Sequence, residues 1–334
     1  SMPFPTRPRA VALLRELQPE SLILIRSALV VLLGLAVLSL AACQAAGSAP
    51  VLSPPTTPVA DNGPTATSTS LAPIVTPRAT AVTPPTPTAV ITAAVATTDL
   101  KFDGRRAYQF VLDQVAIGPR PTGSDAGWKT GDYIIEQLET LGWKVSTQEF
   151  VFKGVGGRNI IGKGGAGPVI ILGAHYDTRP AAEKDPDPTQ WGEPILGAND
   201  GASGVAVLLE LARVLPRDSL KRQVWLTFFD AEDRGRLDDW PFSVGAMEMA
   251  RRLTPRPEAV VVVDMIGDTD QQIYYEGFSH PDLSAEIWDV AKRLGYGDHF
   301  IPEIKYNIID DHLPFVELGI PAIDRGANQP NVFV

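Results

Sequence analysis

The sequence has 334 residues, of which 44% are hydrophobic and 20% are charged, with one cysteine and a net charge of −10. A single cysteine excludes a disulfide-rich scaffold and a cysteine-based zinc module. The acidic balance argues against nucleic acid as a partner, and a mean hydropathy of +0.02 excludes a polytopic membrane protein.

Residues 1–43 have the pattern of an export signal, in which four arginines precede an apolar run over 28–40. The run ends in Leu-Ala-Ala-Cys at Cys43, which resembles the signal of a bacterial lipoprotein, whose cysteine becomes the lipidated first residue. A plain membrane anchor is the alternative, because the apolar stretch from Leu22 reaches spanning length if Arg26 is tolerated. Both interpretations predict an exported chain. The first predicts lipid anchoring to the outer face of a bacterial membrane.

Residues 44–98 are rich in Pro, Thr, Ala, Ser and Val, and Asp61 and Arg78 are their only charged residues. The segment has no apolar period, and repeated proline removes backbone donors and favours extended conformations. We interpret it as a disordered tether that holds the following domain off a membrane. A flexible coil of this length would span roughly 40 Å.

Residues 99–334 are the predicted folded unit. Removing the five basic and three acidic residues that precede position 99 leaves 24 basic and 36 acidic residues, a net charge of −12. Helices are predicted over 103–115, 124–141, 201–215, 243–253 and 281–294. Strands are predicted over 143–152, 169–172, 224–229, 259–263 and 320–323. This alternation predicts a three-layer α/β/α fold whose central sheet is mixed and mainly parallel.

Carboxylates and one histidine follow the apolar strands of this predicted sheet or lie in the Gly-rich segment between them. In chain order they are His175, Asp177, Asp200, Glu232, Asp233 and Asp264. Ligands of such sheets bind beyond the carboxyl ends of the strands, so we expect these groups to meet there. A divalent metal would relieve the repulsion between the carboxylates, and mixed histidine and carboxylate ligands suit zinc.

Each of these residues also has a structural explanation when it is taken alone. Asp200 could cap a helix, His175 could be a buried core histidine, and the Glu232-Asp233 pair could lie in a solvated turn. Their shared position at one edge of the sheet favours a metal site instead. Residues two apart on a strand point the same way, so we expect Asp177 to accept the second ring N–H of His175 and to orient it.

These residues, in this order, make the sequence similar to the zinc aminopeptidase and glutaminyl cyclase family, part of the zinc exopeptidase superfamily. The similarity covers nearly all of 103–324. It is carried by the stretches 118–124 (GPRPTGS), 173–177 (GAHYD), 197–204 (GANDGASG), 228–233 (FFDAED), 263–267 (VDMIG) and 310–315 (DDHLPF). The resemblance implies a zinc exopeptidase-like catalytic domain over 99–334 that uses one or two zinc ions.

The resemblance also implies a role for each site residue. In the two-metal arrangement of the aminopeptidases, His175 and Asp264 would bind one zinc, Asp200 would bridge, and Asp233 would bind the other zinc. Glu232 would be the general base and acid. Enzymes of this branch use metal-activated water to cleave the N-terminal residue of a peptide.

The cyclase branch uses one zinc, here on Asp200 and Asp233, to polarise the γ-amide of an N-terminal glutamine. Glu232 would then move a proton from the α-amine to the leaving ammonia, with Asp264 and Asp310 in the hydrogen-bond network around it. The stretch that begins at Asp310 looks closer to this branch.

The candidate catalytic residues are therefore Glu232, Asp177 and Asp310. Trp240, soon after the Glu-Asp pair, is a candidate aromatic of the substrate pocket, although a single Trp in this position also suits packing.

One feature of the family is absent, because its last zinc ligand is a histidine after the final strand and no histidine follows His312 here. We therefore expect that 99–334 is an incomplete or altered catalytic domain. His280 and His299 are expected on the surface, and His312 is expected to be structural or to contact the ligands from behind.

Three functions remain open at this point. The leading hypothesis is an exported, lipid-anchored zinc exopeptidase that acts on the N-termini of peptides or proteins. The alternative is a glutaminyl-peptide cyclotransferase that forms N-terminal pyroglutamate on the same scaffold. The third is an inactive or binding-only surface lipoprotein, which the absent histidine favours.

Overall fold

A six-stranded sheet forms the centre of the computed structural model, which describes residues 101–326. The predicted export signal with Cys43, the predicted tether and residues 327–334 lie outside the described residues. The strands are β1 (Lys144–Phe152), β2 (Val155–Gly164), β3 (Val169–His175), β4 (Gln223–Phe229), β5 (Ala259–Asp264), β6 (Ile273–Glu276), β7 (Phe300–Tyr306) and β8 (Ala322–Gly326). Strands β6 and β7 form a separate parallel pair.

The central sheet has the strand order β1-β2-β4-β3-β5-β8. Strands β4, β3, β5 and β8 are parallel to one another, whereas β2 pairs antiparallel with both β1 and β4. The parallel strands are covered on both faces, which explains their continuous apolar sequences. The predicted mixed, mainly parallel sheet is confirmed.

Six helices cover the sheet in the described part of the chain. They are α1 (Gly104–Ile117), α2 (Asp125–Thr140), α3 (Ser203–Val214), α4 (Val244–Arg251), α5 (Pro281–Arg293) and α6 (Leu313–Glu317). Successive residues of β3 serve opposite layers. Leu172 packs in the core cluster with residues of α1, α2, α3 and α5, whereas Ile171 packs with residues of α4 and α6. The predicted three-layer architecture is confirmed.

The structure differs from the sequence prediction at five elements. Strands β2, β6 and β7 and helix α6 were not predicted, and β8 begins two residues later than expected. The sequence of β2, VGGRNIIGKG, carries four glycines, which weaken any strand pattern. The strand forms nevertheless because partners on both sides take up its backbone hydrogen bonds.

The described chain begins at the end of the sheet that lies away from the carboxyl ends of β3, β4 and β5. Helix α3 starts near the end of β5, where the Ser203 hydroxyl accepts the Ile266 N–H at 3.0 Å, and it runs back along the sheet. Near its last turn, Arg213 donates to the carbonyl of Lys101 at 2.7 Å. Within residues 101–326, no helix is both long and apolar enough to cross a membrane.

Candidate metal centre

Three of the predicted metal ligands converge at the carboxyl ends of the parallel strands. His175 ends β3, Asp264 ends β5, and Asp200 lies in the turn that leads into α3. Nε2 of His175 is 2.9 Å from Oδ1 of Asp200 and 3.0 Å from Oδ1 of Asp264. One ligand atom from each residue lies within 4.8 Å of the other two. One nitrogen and two carboxylate oxygens at these separations fit a zinc ion.

The electrostatics of this group favour a cation at its centre. Burial raises the pKa of Asp264 to about 6, although the nearby His175 opposes this shift. Burial by itself lowers the pKa of His175, but Asp264, Asp177 and Asp200 together raise it well above its usual value. Two partly buried carboxylates thus lie against one imidazole, and a divalent metal would supply positive charge that stabilises their ionised forms.

Asp233, the fourth predicted ligand, lies beside this group and has a different partner. Its Oδ1 accepts a hydrogen bond from Arg179 at 3.3 Å, and its backbone carbonyl accepts from the same nitrogen at 3.0 Å. Burial, followed by the charge of Asp200, raises the pKa of Asp233 well above its usual range. Among residues 101–326, the mutually close ligand atoms come from the other three residues and not from Asp233.

Asp177 organises the loop after β4, in addition to contacting His175. Its Oδ1 accepts the backbone N–H of Glu232 at 3.0 Å, and its Oδ2 accepts that of Asp233 at 3.1 Å. The Thr122 hydroxyl also donates to Oδ2, at 3.2 Å. The closer acceptor for Nδ1 of His175 is therefore the backbone carbonyl of Asp177 at 3.2 Å, whereas Oδ1 lies at 3.6 Å. The Asp177 carboxylate thus stays within ion-pair distance of His175, while the carbonyl of the same residue is the nearer acceptor.

Glu232 is buried, with 8% of its surface exposed. Burial raises the pKa of its carboxyl well above the usual value, and the charges of Asp310, Asp233 and Asp311 add to the shift while His175 opposes it. Burial likewise raises the pKa of Asp310, against the opposing effect of His312. The segment before α6 therefore lies close enough to Glu232 for its carboxylates to act on it.

Trp240 lies in a small apolar cluster next to the Glu232 loop. It is buried among Phe150, Ala231 and Val244, and its ring centroid is 4.8 Å from that of Phe152 in an edge-on arrangement. These are contacts of a packing residue, and its part in a substrate pocket stays a prediction.

The three other histidines of the described chain have local structural partners. His280 caps α5 by accepting the N–H of Leu283, and Nδ1 of His299 lies 3.2 Å from the carbonyl of Gln271. His312 is fully buried, with Nε2 3.0 Å from Oε2 of Glu276.

Sequence reasoning missed two arginines of the site, Arg120 and Arg179. Arg179 binds Asp233, as described above, and Arg120 lies fully buried behind the strand end. The only signal for Arg120 was its position inside the GPRPTGS stretch. Arg179 follows Asp177 by two residues, which gave no indication of its contact with Asp233.

Known proteins resemble this chain in sequence and in fold. The profile of peptidase family M28 matches residues 159–332. The protein YfbL of Escherichia coli is 32% identical over 160 residues, which is 47% of each chain, so this chain spans about half the length of that curated relative.

Two solved structures share the architecture over most of the domain. A leucine aminopeptidase precursor from Bacteroides thetaiotaomicron is 35% identical, with a TM-score of 0.64 that covers 69% of this chain and 87% of that one. The glutaminyl cyclase of Porphyromonas gingivalis is also 35% identical, with a TM-score of 0.66 that covers 69% of this chain and 86% of that one.

Proposed function

The chain belongs to peptidase family M28, and we propose that it is a zinc-dependent aminopeptidase that removes residues from the N-termini of peptides. The observation that carries this proposal is the convergence of His175, Asp200 and Asp264 beside the buried Glu232. The similarity to a leucine aminopeptidase precursor supports it.

In this proposal His175, Asp200 and Asp264 hold one zinc ion, and Asp233 is the carboxylate available to a second. Zinc, when bound, supplies a Lewis acid that polarises a carbonyl and makes water more acidic. Asp233 would have to exchange its Arg179 contact for the metal. The number of ions therefore depends on this pair.

Glu232 is the proposed general base and acid. Because burial raises its pKa, its carboxylate holds a proton more strongly than a carboxylate in water does. It would take the proton of the attacking water and return it to the amine that leaves when the peptide bond breaks. Asp177 fixes the backbone of this loop, so the carboxylate starts from a defined position.

The acidic surroundings suit a substrate that carries a positive charge at its N-terminus. Asp310 lies near enough to Glu232 to raise its pKa, and we assign it to binding the α-ammonium group of the peptide. The predicted domain's net charge of −12 would attract such a cation from solution.

The second candidate is a glutaminyl-peptide cyclotransferase. It is favoured by the likeness to the Porphyromonas gingivalis glutaminyl cyclase and by the position of Asp310 close to Glu232. In that reaction the α-nitrogen of an N-terminal glutamine bonds to its δ-carbon, and the C–N bond to the side-chain amide breaks. Glu232 would carry the proton from the α-nitrogen to the ammonia that leaves.

One experiment separates the two candidates. The purified full chain, supplied with zinc, is incubated with a panel of aminoacyl substrates and with a peptide that begins with glutamine. Release of free amino acids supports the aminopeptidase. Formation of pyroglutamate and ammonia without free amino acids supports the cyclase, and inactivity on both substrates with zinc bound overturns both.

We also propose that the protein is exported and anchored through lipid on Cys43, with residues 44–98 as the tether. The support is the sequence pattern that ends at Cys43. Metabolic labelling with a radioactive fatty acid should mark the membrane-bound wild-type protein. A Cys43→Ser variant that took up as much label would contradict the proposal.

A further inference from the structure

Arg120 has a fully buried side chain and takes no part in the proposed reaction. Its guanidinium donates four hydrogen bonds to backbone carbonyls. The acceptors are Tyr176 at 3.2 Å, Gly118 at 3.1 Å, Leu196 at 2.9 Å and Gly197 at 2.7 Å.

Two of these carbonyls belong to the loop that carries Asp200. Leu196 and Gly197 come just before it, and Gly197 has a φ of +62°. A side chain at Gly197 would run into the carbonyl of Asp200 and into Thr178. The loop is therefore tightly folded, and the carbonyls that Arg120 holds are closely coupled to the position of Asp200.

A third carbonyl, that of Tyr176, belongs to the residue between His175 and Asp177. The backbone of Arg120 adds two bonds to the same segment, since its N–H donates to the Thr178 hydroxyl at 2.8 Å and its carbonyl accepts the Thr178 N–H at 3.3 Å. A single planar side chain thus connects the segment that follows β3 with the loop before α3. These two elements contribute His175 and Asp200.

The charge of Arg120 fits the same role. None of its hydrogen bonds goes to a carboxylate, and a buried cation with only neutral partners is costly. Burial lowers its pKa to about 10, while Asp177 and Asp200 oppose this shift, so the side chain stays cationic at neutral pH. A fixed positive charge behind the centre therefore offsets part of the repulsion among its carboxylates.

We propose that Arg120 is a positioning residue of the metal centre, whose four-way fork sets the distance between His175 and Asp200 before the metal binds. This inference rests on the proposed zinc site. It predicts that changing Arg120 weakens zinc binding by more than the loss of fold stability explains.

The test uses Arg120→Lys, which keeps the charge but loses the planar fork, in the full chain. The matched control is Arg158→Lys, because Arg158 is also buried but its side chain donates to Trp128 and Asp132 on α2. Two quantities are measured for each protein. They are the zinc dissociation constant, from competition with a chelator, and the midpoint of urea unfolding of the zinc-free protein.

We expect Arg120→Lys to bind zinc about 10- to 100-fold more weakly than wild type, as changes behind metal ligands generally do. Arg158→Lys should keep wild-type zinc affinity even if it unfolds at lower urea. Wild-type affinity in Arg120→Lys would overturn the inference and leave the zinc enzyme intact. A wild-type protein that binds no zinc would instead overturn the proposed function, and the inference would fall with it.

Should Arg120→Lys not fold, Gly197→Ala perturbs the same loop without touching the guanidinium. It should also weaken zinc binding, because the new methyl group pushes against the carbonyl of Asp200. Unchanged zinc affinity in a folded Gly197→Ala protein would show that the loop does not control the centre, which contradicts the inference.

Discussion

Asp177 connects two parts of the site through a single carboxylate. It touches His175 from behind, and its two oxygens accept the backbone N–H groups of Glu232 and Asp233. A carboxylate that accepts several such bonds is held in one orientation. The proposed proton-transfer group and the proposed metal ligands are therefore positioned from the same strand end, and movement of one would disturb the other.

The Glu232→Gln variant tests the role of the carboxylate that sits on this loop. A glutamine keeps the size of the side chain but cannot take up a proton. We expect turnover to fall by roughly 10²- to 10⁴-fold, the usual contribution of a general base, while zinc affinity stays within about twofold. Discontinuous peptide-cleavage assays measure the turnover, and competition with a chelator measures the zinc affinity.

Glu303→Gln serves as the control for Glu232→Gln, since it makes the same substitution at an exposed residue of β7. It should retain full activity. A Glu232→Gln protein that turns over substrate at the wild-type rate would exclude Glu232 as base and acid.

Several site residues could be predicted from the sequence, and others could not, for a physical reason. His175, Asp200 and Asp264 follow apolar runs or a Gly-rich turn, and parallel strands bring their ends together. Arg120 and Arg179 act through carbonyls and a carboxylate that only the folded loops place near them. Short-range sequence patterns carry no information about such contacts.

At the scale of elements, α3 approaches the sheet through Gly204 in its first turn. A Cβ at this position would collide with the carbonyl of Val263 at the end of β5, and it would lie 2.9 Å from the Cβ of Ala174 on β3. Only a glycine allows this close approach. The start of α3, and with it the turn that carries Asp200, is therefore set by contact with two strands.

Gly204→Ala should separate α3 from the sheet. Overpacking of this kind costs about 1–3 kcal/mol of unfolding free energy, and we expect weaker zinc binding because the turn before the helix moves. Urea denaturation and chelator competition measure both effects. Gly192→Ala is the control, since its added methyl group meets no atom within 4 Å; an equally stable Gly204→Ala protein would contradict the close-packing argument.

Glu276, at the end of β6, joins β6 to the segment before α6. Its carboxylate accepts from the backbone N–H of Phe278 and Ile308 and from the Ser279 hydroxyl, and it pairs with Nε2 of His312 at 3.0 Å. Burial acts to raise the pKa of Glu276, but the bond to His312 and the two N–H bonds outweigh it and lower the pKa from 4.5 to about 2.

This lowered pKa predicts a pH-dependent stability contribution. The ionised Glu276 stabilises the fold fully above about pH 5, and the contribution is lost as pH falls from there towards 2. Glu276→Gln should therefore cost on the order of 3 kcal/mol at neutral pH, with a difference from wild type that shrinks as the solution is acidified.

Urea unfolding of both proteins between pH 7 and pH 3 measures that difference. The exposed Glu303→Gln variant again provides a control, whose difference from wild type should stay near zero throughout. A gap between wild type and Glu276→Gln that is constant with pH would contradict the assigned bonding of Glu276.

Across the molecule, part of the excess of acidic residues is concentrated in one region of the fold. Burial raises the pKa values of a set of carboxyls at and near the carboxyl ends of the parallel strands. These residues are Glu232, Asp233, Asp264, Asp310, Asp311 and Asp324. Ionisation of these carboxyls in the folded state without a cation is therefore unfavourable, and a bound zinc ion would favour it, which should make the stability respond strongly to zinc.

Zinc at about 100 times its dissociation constant should add about 2.7 kcal/mol to the free energy of unfolding, because it binds the folded state. The thermal midpoint should rise accordingly and return to its starting value when a chelator is added. Asp264→Asn should respond much less, since it removes a charged ligand. An equal midpoint with and without zinc would contradict the proposed centre.

The fold could be predicted from the alternation of strands and helices, because each continuous apolar run forms one of the parallel strands β3, β4, β5 and β8. The pair β6–β7 escaped prediction because its strands are short or exposed: IYYE has four residues, and FIPEIKY contains a proline and charged residues. Such segments become strands through partners remote in sequence, which a local pattern does not register.

The chain joins the described domain at Lys101, next to Arg213 and far from the metal centre. Attachment to a resin or a biosensor chip at Lys101 itself would consequently leave the sheet edge with the proposed metal centre facing the solution. The proposed metal centre should then remain accessible in the immobilised protein, so kinetic and metal-binding measurements can be made on it.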